Sequence, residues 1–189
     1  MSFLTKNQLD NLGFKSLGRN VLISDKASIY SPELISIGSD VRIDDFCILS
    51  GKIILHNYIH ISAYSALYGK FGIELCDYTG LSPRTTIYSA SDDFSGEYMI
   101  SPMVPKELTN VKGGKVVLEK FSQVGSGSVI MPDLKIAEGS IIGAMSFLKL
   151  STEPWSIYHG CPAKFFKERN KNIIELSKKV NNFLKARLP

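Results

Sequence analysis

Aliphatic residues return every six positions along this chain, at Ile37, Ile43, Leu49, Leu55, Ile61 and Leu67 and again at Leu118, Val124, Ile130, Ile136, Ile142 and Leu148. A shorter run, Leu75, Leu81 and Ile87, is displaced by two residues from the first, as a small insertion at a corner would produce, and Ile23 and Ile29 extend the pattern toward the start. A period of six fits neither the 3.6-residue turn of a helix nor an uninterrupted two-residue pleat. It fits short strands separated by corners that stack into a solenoid, with the aliphatic residue of each strand pointing inward. Four positions further on stands a small or compact residue, as at Ser65, Thr79, Thr85, Ser122, Ser128, Ser140 and Ser146. The ends of a solenoid expose unpaired strand edges and need caps. Thr5-Lys6-Asn7-Gln8 reads as a capping box ahead of Leu9 and Leu12, with Gly13 as a stop. Near the other end Phe166, Ile173, Ile174, Leu176, Val180, Phe183 and Leu184 recur at mostly helical spacing. The expected layout is a helical cap over residues 1–15, a solenoid over 16–169 and a C-terminal helix over 170–189.

With 189 residues, 44% hydrophobic and 21% charged, the chain has the material for one folded domain rather than a disordered segment. No basic-then-apolar leader and no apolar run long enough to span a bilayer is found, so a cytoplasmic protein without a membrane partner is expected. Cys47, Cys76 and Cys161 are odd in number, far apart and without CxxC spacing, which argues against a disulfide framework or a thiolate zinc site. The formal charge of +4 belongs to the tail, where eight Lys and Arg face two Glu from Gly160 onward. No aromatic-basic motif accompanies it, so nucleic acid is not an expected partner, whereas an anionic small ligand is compatible.

Val124-Gly125-Ser126-Gly127-Ser128-Val129 and Ile142-Gly143-Ala144-Met145-Ser146-Phe147 carry an aliphatic, a small or acidic, two free, a small and another free residue. In this the chain resembles the hexapeptide-repeat acyltransferases over roughly residues 16–169. The resemblance implies an all-β fold, a left-handed parallel β-helix of triangular coils, with a short N-terminal helix, one long excursion loop and a C-terminal α-helix. Handedness comes from the resemblance alone. It further implies an enzyme with no bound cofactor that uses acetyl-CoA or another acyl-CoA as co-substrate, and a homotrimer with sites between parallel β-helices.

Between Ile87 and Leu118 the six-residue register vanishes for about thirty residues, an excursion placed at 88–116. Loops of this length in a compact repeat are usually functional or mobile. Its opening, Tyr88-Ser89-Ala90-Ser91-Asp92-Asp93-Phe94-Ser95-Gly96-Glu97, holds three carboxylates beside aromatics. On composition alone that is an ordinary solvated turn. In the sugar and antibiotic O-acetyltransferases of this class the loop start carries His-Pro, and that His is the general base; spacing from the preceding coil puts Asp92 at its position. A hydroxyl acceptor needs such a base to attack a thioester. A sugar amine, with a pKa near the roughly 7.7–8.0 of an α-amino group, is partly neutral already and needs orientation more than deprotonation. Carboxylates supply that by accepting hydrogen bonds and stabilising the charge that develops on nitrogen.

The loop therefore is similar to that of N-acyltransferases acting on dTDP-linked 4-amino-4,6-dideoxy sugars. That resemblance implies Ser82, Asp92 and Glu97 as catalytic residues, with Asp93 and Tyr88 contacting the substrate. The chain also carries Gly160-Cys161-Pro162-Ala163-Lys164, a run that the same resemblance implies to mark the exit from the β-helix beside coenzyme A. Gly125, Ser126, Gly143, Ala144 and Pro162 are candidates for the coenzyme, and Lys149, Lys164 and Arg169 for its phosphates. No metal is expected: His56 and His60 fall on different corners of the register and nothing near them completes a ligand triad, and His159 lies far along the chain. Two alternatives stay open. One is an O-acetyltransferase acting on a sugar or antibiotic, for which His60 is the available base; the other is a non-enzymatic solenoid that binds a partner through its flat faces.

Overall fold

The computed structural model describes residues 2–185, with side chains through residue 180. Short parallel strands wind as a three-sided prism. The first face carries Ser16–Leu17, Ile35–Ile37, Val116–Leu118 and Lys135–Ile136; the second carries Val21–Ile23, Val41–Ile43, Ile59–Ile61, Gly80–Leu81, Gln123–Val124, Ile141–Ile142 and Ser156–Gly160. The third carries Ser28–Tyr30, Thr86–Tyr88, Val129–Ile130 and Phe147–Leu148. Two longer strands, Ile48–Leu55 and Ala66–Leu75, run along the third face and bend onto the first.

The six-residue series is the register of these faces. Leu17, Ile37, Leu55, Leu75, Leu118 and Ile136 are partners along the first face. Ile23, Ile43, Ile61, Leu81, Val124 and Ile142 line up along the second, and Ile29, Leu49, Leu67, Ile87, Ile130 and Leu148 along the third. Apart from Leu17 and Ile29 in the first coil, each is at most 2% exposed, a burial that stabilises by about 1.5–3 kcal/mol per side chain. The two-residue displacement before Leu75 is visible as an insertion: Gly51 pairs with Gly69 but Ile53 with Ile73, so the later coil carries two extra residues where the third face turns onto the first.

Corner chemistry explains the rest of the repeat. Three residues after the inward aliphatic the chain turns with positive φ, at Asp40, Phe46, Tyr58, Tyr64, Tyr78, Arg84, Phe121 and Met145 as well as at Gly127 and Gly139. Such a conformation is uncommon for bulky residues. Here it aligns their side chains in ladders, with ring centroids 4.9 Å apart for Phe46 and Tyr64, 4.6 Å for Tyr58 and Tyr78 and 5.3 Å for Tyr78 and Phe121, which returns part of the cost. One residue later the small side chain turns inward and its hydroxyl donates to a corner carbonyl: Thr85 to Ser82 at 2.8 Å, Ser122 to Glu119 at 2.7 Å, Ser128 to Gly143 at 2.9 Å. Burial of these hydroxyls is thereby satisfied.

The N-terminal helix, Lys6–Asn11, has the expected capping box: the Thr5 hydroxyl accepts from the Gln8 amide and the Gln8 side chain accepts from the Thr5 amide. Leu9 is buried, and Gly13 follows at φ +77. The other end differs from expectation. Ser156–Gly160 turns at Cys161 and Pro162 into an antiparallel strand, Ala163–Glu168, that covers the edge of the second face. Phe166 belongs to this return strand, and the helix begins at Ile173 and runs to Lys185; the side chains of Phe183 and Leu184 lie outside those described. The irregular excursion spans 89–115, because Tyr88 and Val116 are strand residues. No helix among the described residues is long and apolar enough to cross a membrane.

Candidate active site

The corner between the second and third faces gathers most of the expected coenzyme residues. Leu81, Val124, Ile142 and Tyr158 are partners in register, so the residues after them, Ser82, Gly125, Gly143 and His159, stack in one column. The amide of Ser82 donates to the Val124 carbonyl at 2.8 Å, that of Gly125 to Ile142 at 2.7 Å and that of Gly143 to Tyr158 at 2.7 Å. A Cβ on Gly125 would lie 2.5 Å from the Ala144 amide nitrogen, and one on Gly143 2.9 Å from the His159 Cβ. Coil packing alone therefore requires both glycines. Ser126 and Ala144 are exposed beside them, and the hairpin at Cys161 and Pro162 brings Lys164 opposite His159 at the end of the same corner.

The three expected phosphate cations are not neighbours. Lys149 follows Leu148 and so stands past the third face, at the corner where the chain turns to the first. Arg169 is anchored at the corner between the first and second faces: its amide donates to Trp155, and its Nη1 donates to the Phe121 carbonyl at 2.7 Å and the Gly139 carbonyl at 2.9 Å. Burial pushes its pKa down. Of the three, only Lys164 shares a corner with Gly125 and Gly143.

The excursion leaves from the corner between the third and first faces. Ala90–Ser91 pairs antiparallel with Lys112–Gly113, closing the loop at its neck; a Cβ on Gly113 would lie 2.2 Å from the Ser89 carbonyl oxygen. Asp93 turns inward there. Its carboxylate accepts from Lys112 Nζ at 2.8 Å, Asn110 Nδ2 at 2.8 Å and the Ser95 amide at 2.9 Å. The Lys112 hydrogen bond, then those from Ser95, hold its pKa far below the usual carboxylate range. A depressed carboxylate contributes stability above its unfolded pKa and loses it only as pH falls through the folded value, so this latch stays closed across the neutral range and opens in strong acid. Asp93→Asn should speed proteolytic cleavage within 94–111 and lower kcat/KM about tenfold through loss of loop positioning; unchanged proteolysis would remove the latch from the account.

Asp92, one residue earlier, is half-buried. It lines a cleft of about 1180 Å³ between the loop and the prism, with Tyr68 and Lys70 on the prism side and Pro102, Val104 and Lys106 on the loop side. Glu97 is exposed and does not line this cleft. Tyr88 lies on the outer side of the third face, stacked on Tyr68 at 5.3 Å. Ser82 and Asp92 thus belong to opposite edges of the third face within one chain. Lys70 and Lys106 were not signalled by any motif; the one hint was that Lys70 falls within the two-residue insertion.

The histidines are placed differently from expectation. His60 lies mid-strand on the second face, its Nε2 2.8 Å from Asp44 Oδ2, and Asp44 Oδ1 accepts from Arg42 at 2.7 Å. His56 is a corner residue, but Glu74 and Cys76 stand beside it, so donors do gather there. Of the cysteines, Cys47 is buried while Cys161 is exposed in the hairpin turn.

This prism, with its glycine-stacked corner and excursion loop, is the left-handed β-helix of the hexapeptide-repeat acyltransferases. A dTDP-4-amino-4,6-dideoxy-D-glucose acyltransferase of Escherichia coli is 46% identical over 179 residues, 93% of each chain. AntD, an N-acyltransferase from Bacillus cereus solved in complex with dTDP and 3-hydroxybutyryl-CoA, is 50% identical, with a TM-score of 0.92 over 98% of this chain and 97% of its own. AntD has also been solved with single replacements of an aspartate and of a serine ten positions before it. A hexapeptide-repeat acetyltransferase from Vibrio cholerae shares the fold at 17% identity, with a TM-score of 0.59 over 88% of this chain and 80% of its own. No protein-family model matches the chain. The chain belongs to the family of nucleotide-linked amino-sugar N-acyltransferases.

Proposed function

We propose that this enzyme transfers a short acyl group from coenzyme A to the amine of a dTDP-linked 4-amino-4,6-dideoxy sugar, at sites formed between the chains of a homotrimer. The observation that carries this reading is the charge pattern of the cleft, where two lysines, Lys70 and Lys106, share one wall system with a single carboxylate, Asp92. That is the complement of a ligand bearing both a diphosphate and an amine. The relatives support it: AntD has been solved with dTDP-4-amino-4,6-dideoxyglucose and coenzyme A, and its replaced serine and aspartate have the same ten-residue separation as Ser82 and Asp92.

In this reading Asp92 accepts a hydrogen bond from the amine, and Ser82 supplies a second polar contact. The nitrogen attacks the thioester carbonyl, the C–S bond breaks, and amide and free thiol are the products. Within one chain the third face separates Ser82 from Asp92, so a neighbour's Ser82 corner, with coenzyme A along Gly125, Ser126, Gly143, Ala144, Pro162 and Lys164, meets this chain's loop. Phe94, Tyr98 and Met103, exposed on the loop at 74%, 41% and 89%, are the apolar surface such a neighbour would cover. Arg169 lies at the corner between the first and second faces, away from this contact, whereas Lys149 stands at the same third-to-first corner as the excursion loop. Charged nucleotide substrates place the reaction in the cytoplasm, upstream of a surface glycan such as O-antigen.

The test is acceptor choice. With acetyl-CoA as donor, the dTDP-linked amino sugar should turn over and the matching hydroxy sugar should not exceed background. Comparable turnover of the hydroxy sugar would favour O-transfer, with His60 and Asp44 as the available base pair.

A further inference from the structure

Away from the Ser82 corner, at the edge between the first and second faces, three metal-ligating side chains meet on adjacent coils. Leu55 and Leu75 are partners in register, so His56 and Cys76, the residues after them, stack one above the other; the His56 amide donates to the Leu75 carbonyl at 2.9 Å. Glu74 stands beside them on the outer side of the first face, with Oε1 2.8 Å from His56 Nε2. One donor atom from each of the three lies within 4.8 Å of the others. Tetrahedral zinc with bonds of about 2.0–2.3 Å keeps its ligands roughly 3.3–3.8 Å apart, so side-chain adjustments of about 1 Å would close the set around an ion. The scaffold is rigid, because each residue is fixed by ladder hydrogen bonds to the coils on either side.

We infer that His56, Glu74 and Cys76 form a binding site for a divalent cation of borderline softness, for which Zn²⁺ is the reference ion. An imidazole, a thiolate and a carboxylate are the donor types such a cation selects, whereas Mg²⁺ and Ca²⁺ would reject the sulfur. With Cys76 ionised by the metal, the two negative ligands balance the ion's charge. A cation is in fact held there, since Lys115 Nζ donates to Glu74 Oε2 at 2.5 Å. Lys115 is thus the built-in competitor. Were the cluster only an ion-pair network, replacing Lys115 would have no reason to strengthen metal binding.

The experiment titrates the full-length, metal-stripped protein with Co²⁺ and then displaces it with Zn²⁺. Wild type should develop a thiolate-to-cobalt charge-transfer band that Zn²⁺ removes, and Cys76→Ser should lack it. His56→Ala should weaken Zn²⁺ binding by about tenfold or more, while Lys115→Met should tighten it several-fold. Thermal melts of the three variants confirm that each is folded. The inference is overturned if wild type shows no such band at saturating Co²⁺, if the band persists in Cys76→Ser, or if Zn²⁺ affinity is the same in wild type, His56→Ala and Lys115→Met.

Discussion

Asp92→Ala is expected to lower kcat/KM for the amino sugar by about 10²–10³-fold, the range found when one preorganised polar contact to a reacting centre is removed. Asp92 is the loop carboxylate that lines the cleft, while Asp93 is engaged by Lys112, Asn110 and Ser95. Glu97 is exposed and outside the cleft, so Glu97→Ala should stay within about threefold of wild type, as for surface substitutions generally. Steady-state kinetics on the two single variants distinguishes them. Equal losses would mean that the loop closes so as to bring Glu97 inward, and equal retention would remove carboxylate steering from the mechanism.

The second large effect concerns the nucleotide. Lys70 and Lys106 approach the cleft from the prism and from the loop respectively. A charge-assisted contact to phosphate contributes about 1.5–3 kcal/mol, so Lys70→Ala with Lys106→Ala should raise KM for the nucleotide sugar by about 100-fold or more and leave kcat nearly intact. The effect should shrink at high ionic strength, where the wild-type attraction is itself screened. If instead KM for acyl-CoA rises and that for the sugar does not, the two substrates have been assigned to the wrong corners.

What could be read from the residues themselves was whatever the chain states locally. The inward positions from Ile37 to Leu148, the hydroxyls four places later, the insertion before Leu75 and the Thr5–Gln8 cap all depend on near neighbours or on a strict period, and all appear in the fold. Left-handedness is not local in this sense and came from family likeness. The site was harder to read because in a prism six residues move the chain to another corner. Lys149 follows the Gly143 turn by only six positions, yet the third face separates them. Conversely, His56 and Cys76 are twenty residues apart in sequence and adjacent in space. The return strand Ala163–Glu168 escaped because a single antiparallel hairpin has no repeat to announce it, and Lys106 escaped because the loop's course depends on the Asp93 latch.

Mixing two disabled chains tests directly whether catalysis needs residues from both sides of a subunit boundary. Ser82→Ala and Asp92→Ala chains, each expected to be nearly inactive alone, are coexpressed in equal amounts. If every site takes Ser82 from one chain and Asp92 from the next, random assembly rebuilds about one quarter of the sites, and the mixture should recover about that share of wild-type activity. Recovery no greater than the sum of the two parents, from mixed oligomers verified by mass, would show that both residues act within a single chain and would contradict the account.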